Sequence, residues 1–151
     1  MVAPATVPFS LKARAACRSC RRYGKKMTCP PYAEPVEYYQ KLLPQYRFCA
    51  VLFDVFPVSV CGEESSLKIA EKVQEVVSSL REEGYYFIFP FGAGSCKVCK
   101  NCENPCPFPE KALTPLEGAG VDVVELMAGL GITLQFPVRD FYYRVGAVFY
   151  G

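Results

Sequence analysis

Four cysteines spaced Cys96-x₂-Cys99-x₂-Cys102-x₃-Cys106, with Pro107 next, constrain this chain more than any other feature. The spacing is that of bacterial ferredoxin-type loops. Two-residue spacers curl the backbone so that three sulfurs face three irons of one cubane. Backbone N–H groups inside such a loop also point at the electron-rich sulfides, and Gly92 and Gly94 just upstream allow close backbone approach. Zinc is the alternative, because it too takes four thiolates, but usually from two separated C-x₂-C knuckles. The closely packed spacing favours a 4Fe–4S cluster over zinc.

Histidine is absent from the 151 residues. That removes zinc sites with histidine ligands, histidine-ligated haem, and nucleophilic catalysis by a His-activated serine or cysteine. Thiolates and carboxylates remain, and thiolates select zinc, Cu(I) and iron–sulfur clusters. The nine cysteines are too many for incidental core thiols. A disulfide scaffold is disfavoured, because such chains are shorter, secreted and poor in core. Residues Met1 to Ala16 lack a secretory pattern, since Pro4 and Pro8 interrupt the apolar run and Lys12 and Arg14 follow. The expected location is cytoplasmic, with no membrane span.

A second cysteine group precedes the first, as Cys17-x₂-Cys20-x₈-Cys29-Pro30. In two-cluster ferredoxins the fourth cysteine of the run, the one before proline, ligates the other cluster. That logic assigns Cys96, Cys99 and Cys102 to one cluster and turns Cys106 toward Cys17 and Cys20. Cys29, also followed by proline, would then complete the first cluster. Spacing alone leaves one cluster or two open. Cys49 lies inside an apolar stretch and reads as a core thiol; Cys61, before Gly62, reads as structural, with an eighth thiolate that closes a second cluster as its alternative.

The remaining pattern is α/β. A short first strand is expected over Val7–Arg14 and a helix over Glu34–Gln45, with Pro35 in its first turn. FCAVLFDVF, within Arg47–Val60, reads as a strand buried on both faces. Leu67, Ala70, Val73, Val77 and Leu80 recur at helical spacing over Glu63–Glu83. Strands are expected again at Tyr85–Phe91 and Phe141–Tyr150, with a helix within Thr114–Leu130. Strand, helix and strand in succession predict a βαβ unit with parallel pairing. One domain, residues 1–151, is expected, with a small mixed or mainly parallel sheet, flanking helices and two cysteine-rich metal loops.

Lys12, Arg14, Arg18, Arg21, Arg22, Lys25 and Lys26 crowd the first cysteine loop. Three readings compete: a solvated face, cations offsetting the negative charge of a thiolate-ligated cluster, and a docking patch for an acidic protein, a nucleotide or RNA. No nucleic-acid motif accompanies the patch, so RNA is the weakest. The GAGSCK segment lacks the spacing of a phosphate loop. Asp54 reads as a solvent-facing strand residue, with a carboxylate near the metal as its functional alternative.

The segments CRSCRRYGKKMTCPPY and GAGSCKVCKNCENPCPFPEKALTPLEGAGVDV resemble the prokaryotic "predicted metal-binding protein" family of unknown function. The resemblance spans most of the chain, with two motifs in the same order. It implies metal binding by Cys17, Cys20, Cys29, Cys96, Cys99, Cys102 and Cys106. It implies no reaction, and Cys49 and Cys61 stand outside its pattern. Within the family stretch, Glu117, Gly120 and Asp122 read as capping the next helix, or as bringing a carboxylate toward the metal.

The leading functional expectation is therefore an iron–sulfur protein that transfers electrons, or serves as redox accessory, to a larger partner enzyme. The alternatives are an enzyme with an open-site cluster and a structural zinc protein that recognises a partner.

Overall fold

The computed structural model describes residues 1–151. The FCAVLFDVF stretch forms strand β1, Phe48–Pro57, but as the sheet's edge strand with only Cys49 and Phe56 buried rather than one buried on both faces, and the closing aromatic stretch forms the equally long β4, Phe141–Tyr150. They pair antiparallel along their whole length, from Phe48 opposite Tyr150 to Pro57 opposite Phe141. Helix α3, Gly62–Glu82, follows β1 and leads to β2, Ile88–Gly92. A two-residue strand β3, Thr114–Pro115, completes a sheet of order β1-β4-β2-β3.

The βαβ expectation needs a correction. β1 and β2 are both antiparallel to β4, which lies between them, so they run parallel without touching. The sheet is mixed, and its one parallel contact is β2 with β3. The reason lies in β4: its ten residues are long enough to serve both neighbours, and its second half, Val145–Phe149, is apolar enough to be buried on both faces.

The expected first strand is also absent. Val2 and Phe9 make only single bridges, to Cys49 and Val121. Ser10 instead caps helix α1, Leu11–Ala16, by accepting from the Ala13 N–H. The KARAA sequence is made of good helix formers, and a capped turn satisfies backbone groups that a lone strand would leave unpaired. Helix α2 occupies only Val36–Leu42, with Pro35 at its N-cap, and helix α4 occupies Val123–Gly129. Asp122 Oδ1 accepts from Glu125 N at 3.1 Å, so Asp122 is the α4 cap.

The sheet is a partition between two cores. On one face Ile69, Val73, Val77 and Leu80 of α3 pack against Phe56 and Val148. On the other, Tyr39 and Leu43, with Leu126 and Met127 of α4, cover Cys49, Val145, Ala147 and Phe149. Each fully buried side chain of this size contributes about 1.5–3 kcal/mol. Gly146 lies under α3, where a Cβ would come within 2.9 Å of Val73 Cγ2. Asp54 faces solvent and is held by Lys72 Nζ at 2.8 Å, which lowers its pKa. No helix is long and apolar enough to cross a membrane.

Candidate metal centre

The first cysteine loop grows out of α1. A 3₁₀ turn over Cys17–Ser19 continues the helix, and Cys20 N–H donates to Cys17 O at 3.0 Å, so these two thiols emerge from one tight turn. Gly24 N–H donates to Pro30 O at 2.9 Å and closes the segment that carries Cys29. Arg14 clamps the loop to its surroundings, donating from Nη1 to Glu34 O and Gly118 O, both at 2.7 Å. Its Nη2 also reaches Ala33 O at 3.2 Å. Cys17, Cys20 and Cys29 thereby wall one cavity of about 250 Å³, completed by Gly94, Ser95, Glu117 and Arg144.

The second cysteine loop leaves the end of β2. Gly94, with φ +73°, turns the chain hard against α3, where a Cβ would meet Ser66 Oγ at 2.8 Å. Cys96 follows directly. Its thiol is near enough to Cys29 to raise that thiol's pKa, as Cys20 does, although burial is the larger cause. Burial also pushes Cys17 up to about 11, assisted by Glu117 and Cys29. Thr28 Oγ1 is buried without a well-placed partner, and its proximity to the Cys29 sulfur opposes these effects.

The two loops are tied together. Lys26, only 6% exposed, donates from Nζ to Cys99 O at 2.6 Å and to Lys100 O at 3.4 Å. Met27 N–H donates to Cys102 Sγ at 3.3 Å. Arg22 pairs with Glu63 and so fixes the first loop to the start of α3. Thus cysteines about eighty positions apart in sequence share one region. No three cysteines converge closely enough to enclose a single ion.

Lys26→Met removes the donor that links the loops. It is expected to cost about 1–3 kcal/mol and to speed loss of metal to a chelator. An unchanged melting temperature with an unchanged rate of metal loss would show that the tie carries no strain between the loops.

The donor chemistry fits a soft metal. Free thiols on both loops are the ligands available, and thiolate charges that repel one another are what a bound cation relieves. Cations surround them: burial lowers the Lys97 pKa, and Arg22, Lys26 and Arg144 add to that effect. Cys49 is 1% exposed in the core, where burial pushes its thiol up to about 12. Cys61 is exposed at the N-cap of α3.

Sequence reasoning did not find two residues of this region. Arg144 lines the cysteine cavity from β4, and its signal was the single charge in an otherwise apolar strand. Lys26 was visible only as one of a run of cations. Glu117 lies in the cavity wall, reachable by water yet enclosed by protein, and that enclosure raises its pKa while Arg144 opposes it.

The class these features define is a mixed α/β protein with cysteines on two interlocked loops. The chain belongs to the family described as predicted metal-binding protein (DUF2284), whose model matches residues 1–150. No curated protein and no solved structure matches it.

Proposed function

We propose that the protein is a cytoplasmic iron–sulfur protein that holds at least one 4Fe–4S cluster between its cysteine loops and passes electrons to a larger redox partner. The observation that carries this reading is the cavity walled by Cys17, Cys20 and Cys29, with the second loop lashed against it through Lys26. Ferredoxin-type spacing in that second loop favours iron over zinc. When bound, such a cluster supplies a one-electron couple.

The neighbourhood of Cys29 supports a specific division of ligands. Cys96 completes the set of Cys17, Cys20 and Cys29, while Cys99, Cys102 and Cys106 form a second set of three. This differs from the two-cluster ferredoxin arrangement, in which the fourth cysteine of the run would cross over. Gly94 presses the start of the second loop against α3, and Gly94 and Ser95, the two residues before Cys96, line the cavity.

The chain's own groups then have distinct tasks. Lys97 and Arg144 offset thiolate charge, which favours the reduced state. Lys26 holds the loops in register. Arg18, Arg21 and Lys25 are exposed beside the site and suit an acidic face on the redox partner.

The test is iron, acid-labile sulfide and zinc per chain in anaerobically purified protein. Iron and sulfide near ~4 each support one cubane, and near ~8 each two. Stoichiometric zinc without sulfide overturns the reading.

A further inference from the structure

A cysteine that takes up a metal gives up its proton, and the charge left on sulfur calls for a hydrogen-bond donor. The loops already aim donors at two of their sulfurs. Arg22 N–H donates to Cys20 Sγ at 3.4 Å, and Met27 N–H donates to Cys102 Sγ at 3.3 Å. Cys29 needs a donor most. It is 6% exposed and is the one buried cysteine of the seven on the loops, so water cannot hydrate its thiolate.

A hydroxyl stands beside it. Thr28 Oγ1 is the one buried side-chain nitrogen or oxygen of the structure that finds no hydrogen-bond partner. Such groups are costly, and native proteins keep few of them. The hydroxyl lies close enough to the Cys29 sulfur to favour the thiolate over the thiol. A thiol sulfur is a weak acceptor and a thiolate a strong one, so the bond becomes worth making only when the sulfur is charged. The surroundings hold the pair in place. Cys29 N–H donates to Lys26 O at 3.0 Å, and Cys29 O accepts from Tyr32 N–H at 3.0 Å and Ala33 N–H at 2.9 Å. Lys26 anchors the start of this turn on the second loop. The β-branched threonine has few side-chain rotamers, which keeps the hydroxyl near the neighbouring sulfur.

We propose that Thr28 is a positioning residue of the metal site, its hydroxyl donating to the Cys29 thiolate when that sulfur ligates metal. The inference rests on the reading of Cys29 as a ligand and adds the group that stabilises its charge. In an iron–sulfur cluster such a bond stabilises the electron-rich reduced state more than the oxidised one, and so raises the reduction potential.

The test compares Thr28→Val, which deletes the hydroxyl and keeps the branched shape, with Thr28→Ser, which keeps the hydroxyl. In the full, anaerobically purified chain, Thr28→Val is expected to shift the redox equilibrium about three- to tenfold toward the oxidised form, a fall of about 30–60 mV for one electron. Loss of metal to a chelator should quicken by a similar factor. In the full chain stripped of metal the sign reverses. Thr28→Val should then melt about 2–4 °C higher, because a buried hydroxyl without a partner is gone. A merely structural threonine would lower the melting temperature with metal and without it. Thr28→Ser should match the unsubstituted chain in potential and in metal loss. The proposal is overturned if Thr28→Val leaves both of these unchanged, if it lowers the melting temperature of the stripped chain, or if Thr28→Ser behaves as Thr28→Val. Iron, sulfide and zinc measured on the same samples report separately on the iron–sulfur reading. Zinc without sulfide overturns that reading, and the rate of metal loss then decides on Thr28.

Discussion

Replacing Cys96 with serine is expected to strip metal from the same site that Cys20→Ser empties. Both variants should lower iron per chain by roughly one cluster's worth, about 4, and both should lose the same spectral component. The double variant should be no worse than either single one, because residues that ligate one metal act as a unit. Cys106→Ser should remove a different component or none from the amino-terminal site. The reason is that Cys20 and Cys96 both add to the rise that burial gives the Cys29 pKa, and that Gly94 and Ser95, the residues just before Cys96, line the cavity that Cys29 walls. If Cys106→Ser and Cys20→Ser share a phenotype while Cys96→Ser stands apart, the ferredoxin-type crossing is correct. Metal content with electron paramagnetic resonance of the reduced protein reads both outcomes.

Gly120→Ala is expected to destabilise the chain by about 2–4 kcal/mol, from left-handed backbone strain and overpacking together. For a chain of this size that lowers the melting temperature by roughly 5–15 °C. Gly120 has φ +86°, and a Cβ there would lie 2.6 Å from Val36 Cγ2 and 2.8 Å from Val36 Cγ1. Val36 is 4% exposed at the start of α2 and has little room to give. Gly131 is the control: its φ is +81°, but a Cβ there meets nothing within 4 Å. Gly131→Ala should therefore show the strain alone, about 1–2 kcal/mol. Val36→Ala should recover part of the loss in the Gly120→Ala background. Equal melting temperatures for the two glycine variants would sink the packing explanation. Gly120 O also accepts from Ser10 N at 2.7 Å, so a shift here reaches the cap of α1 and the cysteine turn beyond it.

The elements legible in the sequence were those governed by neighbours along the chain. The apolar recurrence from Leu67 to Leu80 located α3 to within a residue or two, and the aromatic run located β4 at Phe141–Tyr150. Where the signal was a few mixed residues, reading failed. Val7–Arg14 alternates too briefly to distinguish a strand from the capped helix that Ser10 begins. Tyr85 to Phe87 looked like the start of a strand, yet Tyr86 and Phe87 are 88% and 67% exposed and β2 begins only at Ile88. Aromatic residues carry the same β signal whether or not a partner strand reaches them.

The candidate site divides in the same way. Its donor chemistry was determined by composition: cysteine in two spaced groups and no histidine leave thiolates as the soft ligands, wherever the chain goes. Which thiols become neighbours was decided only by the tertiary structure. Lys26 reaches the carbonyl of Cys99 and Met27 the sulfur of Cys102 across more than seventy positions, contacts that no local spacing encodes. The insertion of β4 between β1 and β2 is likewise a choice among distant partners, since strand pairing is set by what each edge can bury and bond. It is also what carries Arg144 to the wall of the cysteine cavity. Periodicity and ligand type are properties of short segments and can be read in order. Pairing and enclosure depend on which segments meet, and for this chain only the fold brings them together.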